Sequence, residues 1–147
     1  MNAFEQTWSL TRGRFDDAVK GLSQEQLNWR MQKDVLTLGE MALHVAGVEI
    51  SFVSQLTGEP LEPFTQRVAK AATDGVVNES AFPFAVEELT PEVVAEALSR
   101  ARQTVADVFA NPSKIPEGRQ IKSALGPIID APGAFARLAY HPGYHQG

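Results

Sequence analysis

Three histidines carry the strongest chemical pattern in the chain. His44, His141 and His145 are its only histidines, and the last two lie four positions apart in a segment with helical periodicity. Residues at i and i+4 share one face of a helix, so this spacing predicts two imidazoles side by side. Histidine is the commonest metal ligand, and catalytic zinc sites often use three protein ligands and leave a fourth position open. The pattern therefore predicts a three-histidine site for a divalent metal.

Further polar residues are candidates for supporting that site. Glu49 is a candidate general base if its carboxylate reaches the cavity, with an exposed helix carboxylate as the alternative. Tyr144 is a candidate acid or orienting hydroxyl, with a surface position as the alternative. Glu40 would serve either as an acceptor for the His44 imidazole or as the partner of Thr37 in a capping box, and we favour the capping box.

Four amphipathic segments must position these residues. Helix N-terminal signals precede three of them, namely Thr37 with Glu40, Thr90 with Pro91, and Asp130 before a proline-containing first turn. The predicted helices cover about residues 3–20, 37–58, 90–111 and the segment after Asp130. A long connection, with a short helix around 65–72, separates the second helix from the third, and we predict no strand pairing. We expect an all-α four-helix bundle, formed as a single domain over residues 1–147.

Composition narrows the range of functions. The net charge is -5, and the basic residues are scattered, so nucleic acid is a poor candidate partner. No apolar run is long enough to cross a bilayer and no secretory signal is evident, so we expect a cytoplasmic protein that acts on a small-molecule substrate. The chain contains no cysteine, and any thiol chemistry must therefore use a thiol supplied from outside.

Two motifs in this helical context resemble a known family. The segment T-L-G-E-M-A-L-H-V-A-G-V-E in the second helix and the ending H-P-G-Y-H-Q-G resemble the DinB/YfiT-like superfamily of four-helix bundles, over nearly the whole chain. The resemblance implies that His44, His141 and His145 bind one divalent ion, and three imidazole ligands suit Zn, Ni or Fe. It also implies a homodimer and a transferase that uses a low-molecular-weight thiol of the bacillithiol or mycothiol type.

The resemblance leaves two alternatives open. One is a metal-dependent hydrolase, and the other is a non-enzymatic, stress-related binding protein with a structural or vestigial metal site. Two features depart from the family pattern. Pro142 lies between the paired histidines, where we expect a kinked or unwound last turn. The last helix is also expected to be shortened at its C-terminal end.

Overall fold

The computed structural model describes residues 2–147 and is predominantly helical, which confirms the all-α prediction. None of the helices in this range is both long and apolar enough to cross a membrane. The helices are α1 (Ala3–Val19), α2 (Gln24–Leu27), α3 (Leu38–Thr57), α4 (Pro63–Lys70), α5 (Pro91–Ala110) and α6 (Ala131–Gln146), and two short strands are β1 (Gln120–Lys122) and β2 (Ile128–Asp130).

The helix starts follow the capping signals of the sequence. At α3, the Thr37 side chain accepts from the Glu40 backbone N–H, and the Glu40 carboxylate accepts from the Thr37 N–H at 2.7 Å. This capping box confirms the favoured interpretation of Glu40. Thr90 and Asp130 cap α5 and α6 in the same way, each by accepting one backbone hydrogen bond. Sequence-local chemistry thus fixes where three of the four long helices begin.

The four long helices form the bundle, with α3 as its central member. α1 packs along α6, and α3 packs against α5, α4 and α6. Burial on several sides explains why most residues of α3 are apolar and why nearly all of its first thirteen residues are buried. The C-terminal histidines are on α6, so His44 can meet them only on the side of α3 that contacts α6.

A glycine in α3 permits an unusually close crossing. A Cβ atom at Gly47 would lie 2.5 Å from the carbonyl oxygen of Val68 and 2.9 Å from the backbone nitrogen of Ala72. Only glycine therefore lets α4 and the turn after it lie directly on α3. The long connection predicted between the second and third bundle helices is thereby held against the bundle.

The prediction that the chain has no strand pairing is wrong. Residues 120–122 and 128–130 pair as an antiparallel hairpin, in which Ile121 lies opposite Ile129. Strands of three residues are too short to show an alternating pattern, and Ile121 is the only fully buried position among the six. The hairpin is tied to the bundle, since the Gln55 side chain on α3 accepts from the Lys122 backbone N–H.

The unwound last turn expected at Pro142 is also not observed. α6 continues through Pro142 to Gln146, and the proline ring is buried. Pro142 leaves the Leu138 carbonyl without its helical donor, and packing along α1 holds this part of α6, where the Thr11 hydroxyl donates to the neighbouring Ala139 carbonyl at 2.9 Å. Tertiary contacts therefore outweigh the local preference of proline at this position, and the helix carries both C-terminal histidines.

Candidate metal centre

The structure brings the three predicted histidines together. The Nε2 atom of His141 lies 3.1 Å from Nε2 of His44 and 3.0 Å from Nε2 of His145. One ring nitrogen from each residue lies within 4.8 Å of the others. His44 is 5% exposed, and the other two are half-buried. Residues 97 positions apart in the sequence thus converge on one point between α3 and α6.

Helix geometry explains the convergence. His141 and His145 lie one turn apart on the same face of α6, and that face is turned toward α3. The rings meet edge to face, with centroid separations of 5.0 Å for His44 and His141, 4.9 Å for His44 and His145, and 4.5 Å for His141 and His145. This arrangement directs nitrogen atoms, rather than ring faces, at the shared point.

A backbone contact fixes the tautomer of His44. Its Nδ1 lies 2.8 Å from the carbonyl oxygen of Ala71, which can only accept, so Nδ1 must carry the hydrogen. In a neutral imidazole, Nε2 then holds the lone pair, and it is Nε2 that faces the other two histidines. An outer acceptor that orients a ligating imidazole in this way is a regular feature of metal sites.

The environment keeps the rings neutral. Burial, followed by the nearby His145 and His44 rings, lowers the pKa of His141 to about 3. Burial and then the His44 ring lower the pKa of His145 to about 4. Burial also lowers the pKa of His44, against the opposing effect of its bond to Ala71. At neutral pH the cluster therefore offers lone pairs instead of positive charges.

These donors fit a divalent ion. Nitrogens bound at about 2.0–2.1 Å to one tetrahedral ion lie about 3.4 Å from each other, close to the 3.0 and 3.1 Å observed. Without an ion, the three facing nitrogens have at most two hydrogens among them, one each from His141 and His145, because the hydrogen of neutral His44 is on Nδ1. His141 Nδ1 is buried and has no hydrogen-bond partner among residues 2–147, so the polar contacts of this ring are all made by Nε2, at the shared point.

Comparison with known proteins agrees with this geometry. A family model described as the DinB superfamily matches residues 4–147. The chain belongs to the DinB superfamily. Comparisons with curated proteins and with solved structures gave no match. Membership of the DinB superfamily and the histidine cluster together fit a metal-binding site.

A cavity of about 490 Å³ adjoins the histidines of this DinB-superfamily fold. Leu125, Tyr140 and Tyr144 in its wall are exposed, so the cavity opens to solvent. Sequence reasoning missed the contributions of the β1–β2 turn and of Arg137, although Arg137 lies one turn before His141 on the same helix. The cavity is lined by His44, Val48, Phe52, Ala72, Val76, Val77, Ser123, Ala124, Leu125, Arg137, Tyr140, His141, Tyr144 and His145.

The structure does not bring Glu49 to this cavity. Five positions after His44 on α3 correspond to a rotation of about 140°, which turns the carboxylate toward α1. There Glu49 is fully buried, and its carboxylate accepts from the Trp8 indole N–H at 2.7 Å. Arg12 Nε donates to both carboxylate oxygens, at 3.0 and 3.1 Å. Burial raises its pKa, and the Arg12 guanidinium and the Trp8 N–H oppose that shift. These contacts indicate a structural ion pair inside the bundle.

Tyr144 does line the cavity. Its side chain is 63% exposed, and its ring centroid lies 5.0 Å from that of His145. The two alternatives considered from the sequence, a site residue and a surface residue, are therefore both partly realised, because Tyr144 lies at the rim. Its hydroxyl is available to a molecule that enters the cavity.

Proposed function

We propose that the protein is a divalent-metal-dependent enzyme in which His44, His141 and His145 hold the ion. One observation carries the proposal: three imidazole nitrogens converge beside an open cavity, and no fourth His, Cys, Asp or Glu joins the group among residues 2–147. Structural zinc sites are closed by four protein ligands, whereas catalytic sites commonly have three and an open position. This difference favours a catalytic over a structural role.

The donor set suits more than one metal. Neutral imidazole binds Zn, Ni and Fe, so the proposal includes each of them. When bound, such an ion supplies Lewis-acid chemistry, which lowers the pKa of a water or thiol that it contacts. The Ala71 carbonyl, by holding His44 in one tautomer, prepares the site for this role.

The cavity favours a low-molecular-weight thiol over water as the nucleophile. Its ionisable lining consists of the three histidines, two tyrosines and Arg137, so it stabilises an anion but contains no carboxylate to act as a base. A thiol needs less help, since its ordinary pKa is about 8.5 against about 15.7 for water. We therefore propose a thiol transferase, which agrees with the complete lack of cysteine in the chain.

The chain's own residues have separate tasks in this reaction. Val48 and Phe52, both buried in the cavity wall, exclude water from one side of the reacting atoms. The Tyr144 hydroxyl at the rim orients the acceptor molecule. The thiol sulfur forms a bond to an electrophilic carbon of that acceptor, the leaving group departs with the bonding electron pair, and the thiol proton passes to solvent through the open side.

Metal content tests the first step of the proposal. We expect about one metal ion per chain in protein purified without chelator or affinity histidines, measured by elemental analysis. His44→Ala and His145→Ala should each lose the ion and keep the helical circular dichroism spectrum. Gln146→Ala, an exposed neighbour on α6, is the matched control and should retain it. Wild-type protein that is metal-free and also fails to bind added Zn, Ni or Fe would contradict the proposal.

Turnover tests the second step. Zinc-loaded protein is mixed with bacillithiol or mycothiol and an electrophile such as 1-chloro-2,4-dinitrobenzene, and adduct formation is followed by absorbance. We expect the rate to fall at least about a hundredfold in His44→Ala, because the activating group is lost. A parallel assay with 4-nitrophenyl acetate measures hydrolysis. Hydrolysis without thiol transfer would replace the transferase with the hydrolase alternative.

A further inference from the structure

Arg137 is the one full positive charge in the cavity wall. It is half-buried on α6, and its Nη1 donates to the Ser123 hydroxyl at 3.2 Å. Ser123 is itself 4% exposed, and its backbone N–H donates to Pro127, so the hairpin holds the guanidinium from one side. The hydrogen bond to Ser123 therefore holds the Arg137 guanidinium in the cavity wall.

The pairing of Arg137 differs from that of most arginines in the chain. Five other arginines make ion pairs with carboxylates, whereas Arg137 makes none among residues 2–147. A guanidinium has five N–H donors, and the Ser123 hydroxyl uses one of them. None of the other guanidinium nitrogens is buried without a partner, so they are open to the water of the cavity, which an anion of a ligand can replace. Among the described residues, the cavity wall contains no anionic side chain for Arg137, and a ligand can supply that anion.

The geometry favours a carboxylate as that anion. The planar fork of a guanidinium matches the two oxygens of a carboxylate, and one positive charge balances one negative charge. His141 lies four residues beyond Arg137, about 6 Å along α6, so a small molecule that fills the cavity can contact both positions. A carboxylate held by Arg137 would leave the rest of the molecule facing the histidines.

We propose that Arg137 is the specificity-determining residue of the cavity and that it binds the carboxylate of a small organic acid. The inference rests on the proposed function for the identity of the molecule as a substrate, but carboxylate binding itself does not require the metal. The carboxylate belongs either to the electrophilic acceptor or to the thiol. Both sources present the same group to Arg137, and they are separable by experiment.

Calorimetric titration of matched acids and amides tests the proposal. Phenylacetate and phenylacetamide represent the acceptor and are titrated into metal-free protein; mercaptoacetate and mercaptoacetamide represent the thiol and are titrated into zinc-loaded protein. Each pair differs in one charge and almost nothing in size. The variants are Arg137→Gln, which can still donate to Ser123, and Arg137→Lys, which keeps the charge without the fork. Arg14→Gln, at an exposed position on α1 outside the cavity, controls for the loss of one charge.

We expect wild type and Arg14→Gln to prefer the acid by about tenfold or more in at least one pair, because charge-assisted hydrogen bonds are the strong ones. Arg137→Gln should bind acid and amide equally, and Arg137→Lys should lie between. The pair that shows the preference identifies the carboxylate-bearing molecule. A preference that survives in Arg137→Gln, no preference in wild type, or no binding of any probe would overturn the inference. Because the phenylacetate arm uses metal-free protein, its result stands even if the protein binds no metal.

Discussion

His44 on α3 donates from Nδ1 to the carbonyl oxygen of Ala71, 2.8 Å away, at the end of α4. The contact exists because Gly47, one turn later on α3, lets the backbone of residues 68–72 lie against the helix. The orientation of a proposed metal ligand thus depends on a helix crossing that only glycine permits. The crossing links the stability of the fold to the geometry of the site.

Gly47→Ala should damage both fold and site. Its Cβ would meet the Val68 carbonyl oxygen at 2.5 Å, and this neighbour is backbone that cannot rotate away. We expect a loss of about 2–3 kcal/mol in the free energy of unfolding, measured by urea denaturation. Displacement of Ala71 should also weaken zinc binding, measured by competition with a chromogenic chelator.

Gly13→Ala is the matched control for that prediction. Gly13 also lies within a helix, α1, but a Cβ there would meet nothing within 4 Å. Alanine should therefore stabilise the protein by about 0.5–1 kcal/mol through its higher helix propensity, with unchanged zinc affinity. Equal effects of the two substitutions would show that the close crossing at Gly47 is unimportant.

Glu49→Gln should reduce stability without affecting metal content. The substitution removes one member of a fully buried ion pair and leaves the Arg12 guanidinium with less compensation, at a cost of about 3 kcal/mol. Glu96→Gln, which breaks the exposed pair with Arg100, is the control and should have little effect. The measurement is urea denaturation combined with elemental analysis. Normal stability with abolished turnover in Glu49→Gln would instead support the general-base hypothesis.

Metal-free protein should lose stability as the pH falls below about 6.5. The folded-state pKa values of about 3 for His141 and about 4 for His145 lie below the ordinary 6.5 of an unfolded chain. Between those limits the unfolded chain binds more protons, so lowering the pH favours unfolding. For His141 alone, the change from pH 6.5 to 5 should cost about 1–2 kcal/mol.

Urea denaturation at several pH values measures this dependence, with His141→Gln as the comparison. Removal of the titrating ring should flatten the slope of the unfolding free energy against pH. A change in stability from other causes shifts the free energy equally at every pH and does not alter that slope. Identical slopes for the two proteins would contradict the assigned shift of the His141 pKa.

The sequence predicts the helices better than it predicts their contacts. Capping by Thr37, Thr90 and Asp130 is local chemistry, so the starts of α3, α5 and α6 were predictable. The i, i+4 spacing of His141 and His145 likewise predicted that both lie on one face of a helix. The meeting with His44 was predicted from its place near the apolar stripe of its helix in a helical bundle, and the family resemblance supported it, but no local pattern states which helix packs against α6.

Contacts made across the fold escaped prediction for the same reason. The carbonyl of Ala71 is one of many, and only the approach allowed by Gly47 makes it the partner of His44. The fully buried position of Glu49 depends on Trp8 and Arg12 in another helix. Arg137 acquires its meaning from a hairpin whose strands are too short to show a periodic signal. Each of these three contacts depends on tertiary packing, which no local sequence pattern encodes.

The distance in sequence between the histidines has a thermodynamic consequence. His44 and His141 are 97 positions apart, so an unfolded chain holds no preformed three-nitrogen chelate and retains at most the local pair of His141 and His145. If the proposed function is correct, the ion binds the folded chain and has little affinity for the unfolded one. Binding and folding are then linked by mass action, and the midpoint of thermal unfolding becomes a function of metal concentration. The supply of metal in the surroundings would then set how far the folded chain lies from its unfolding transition.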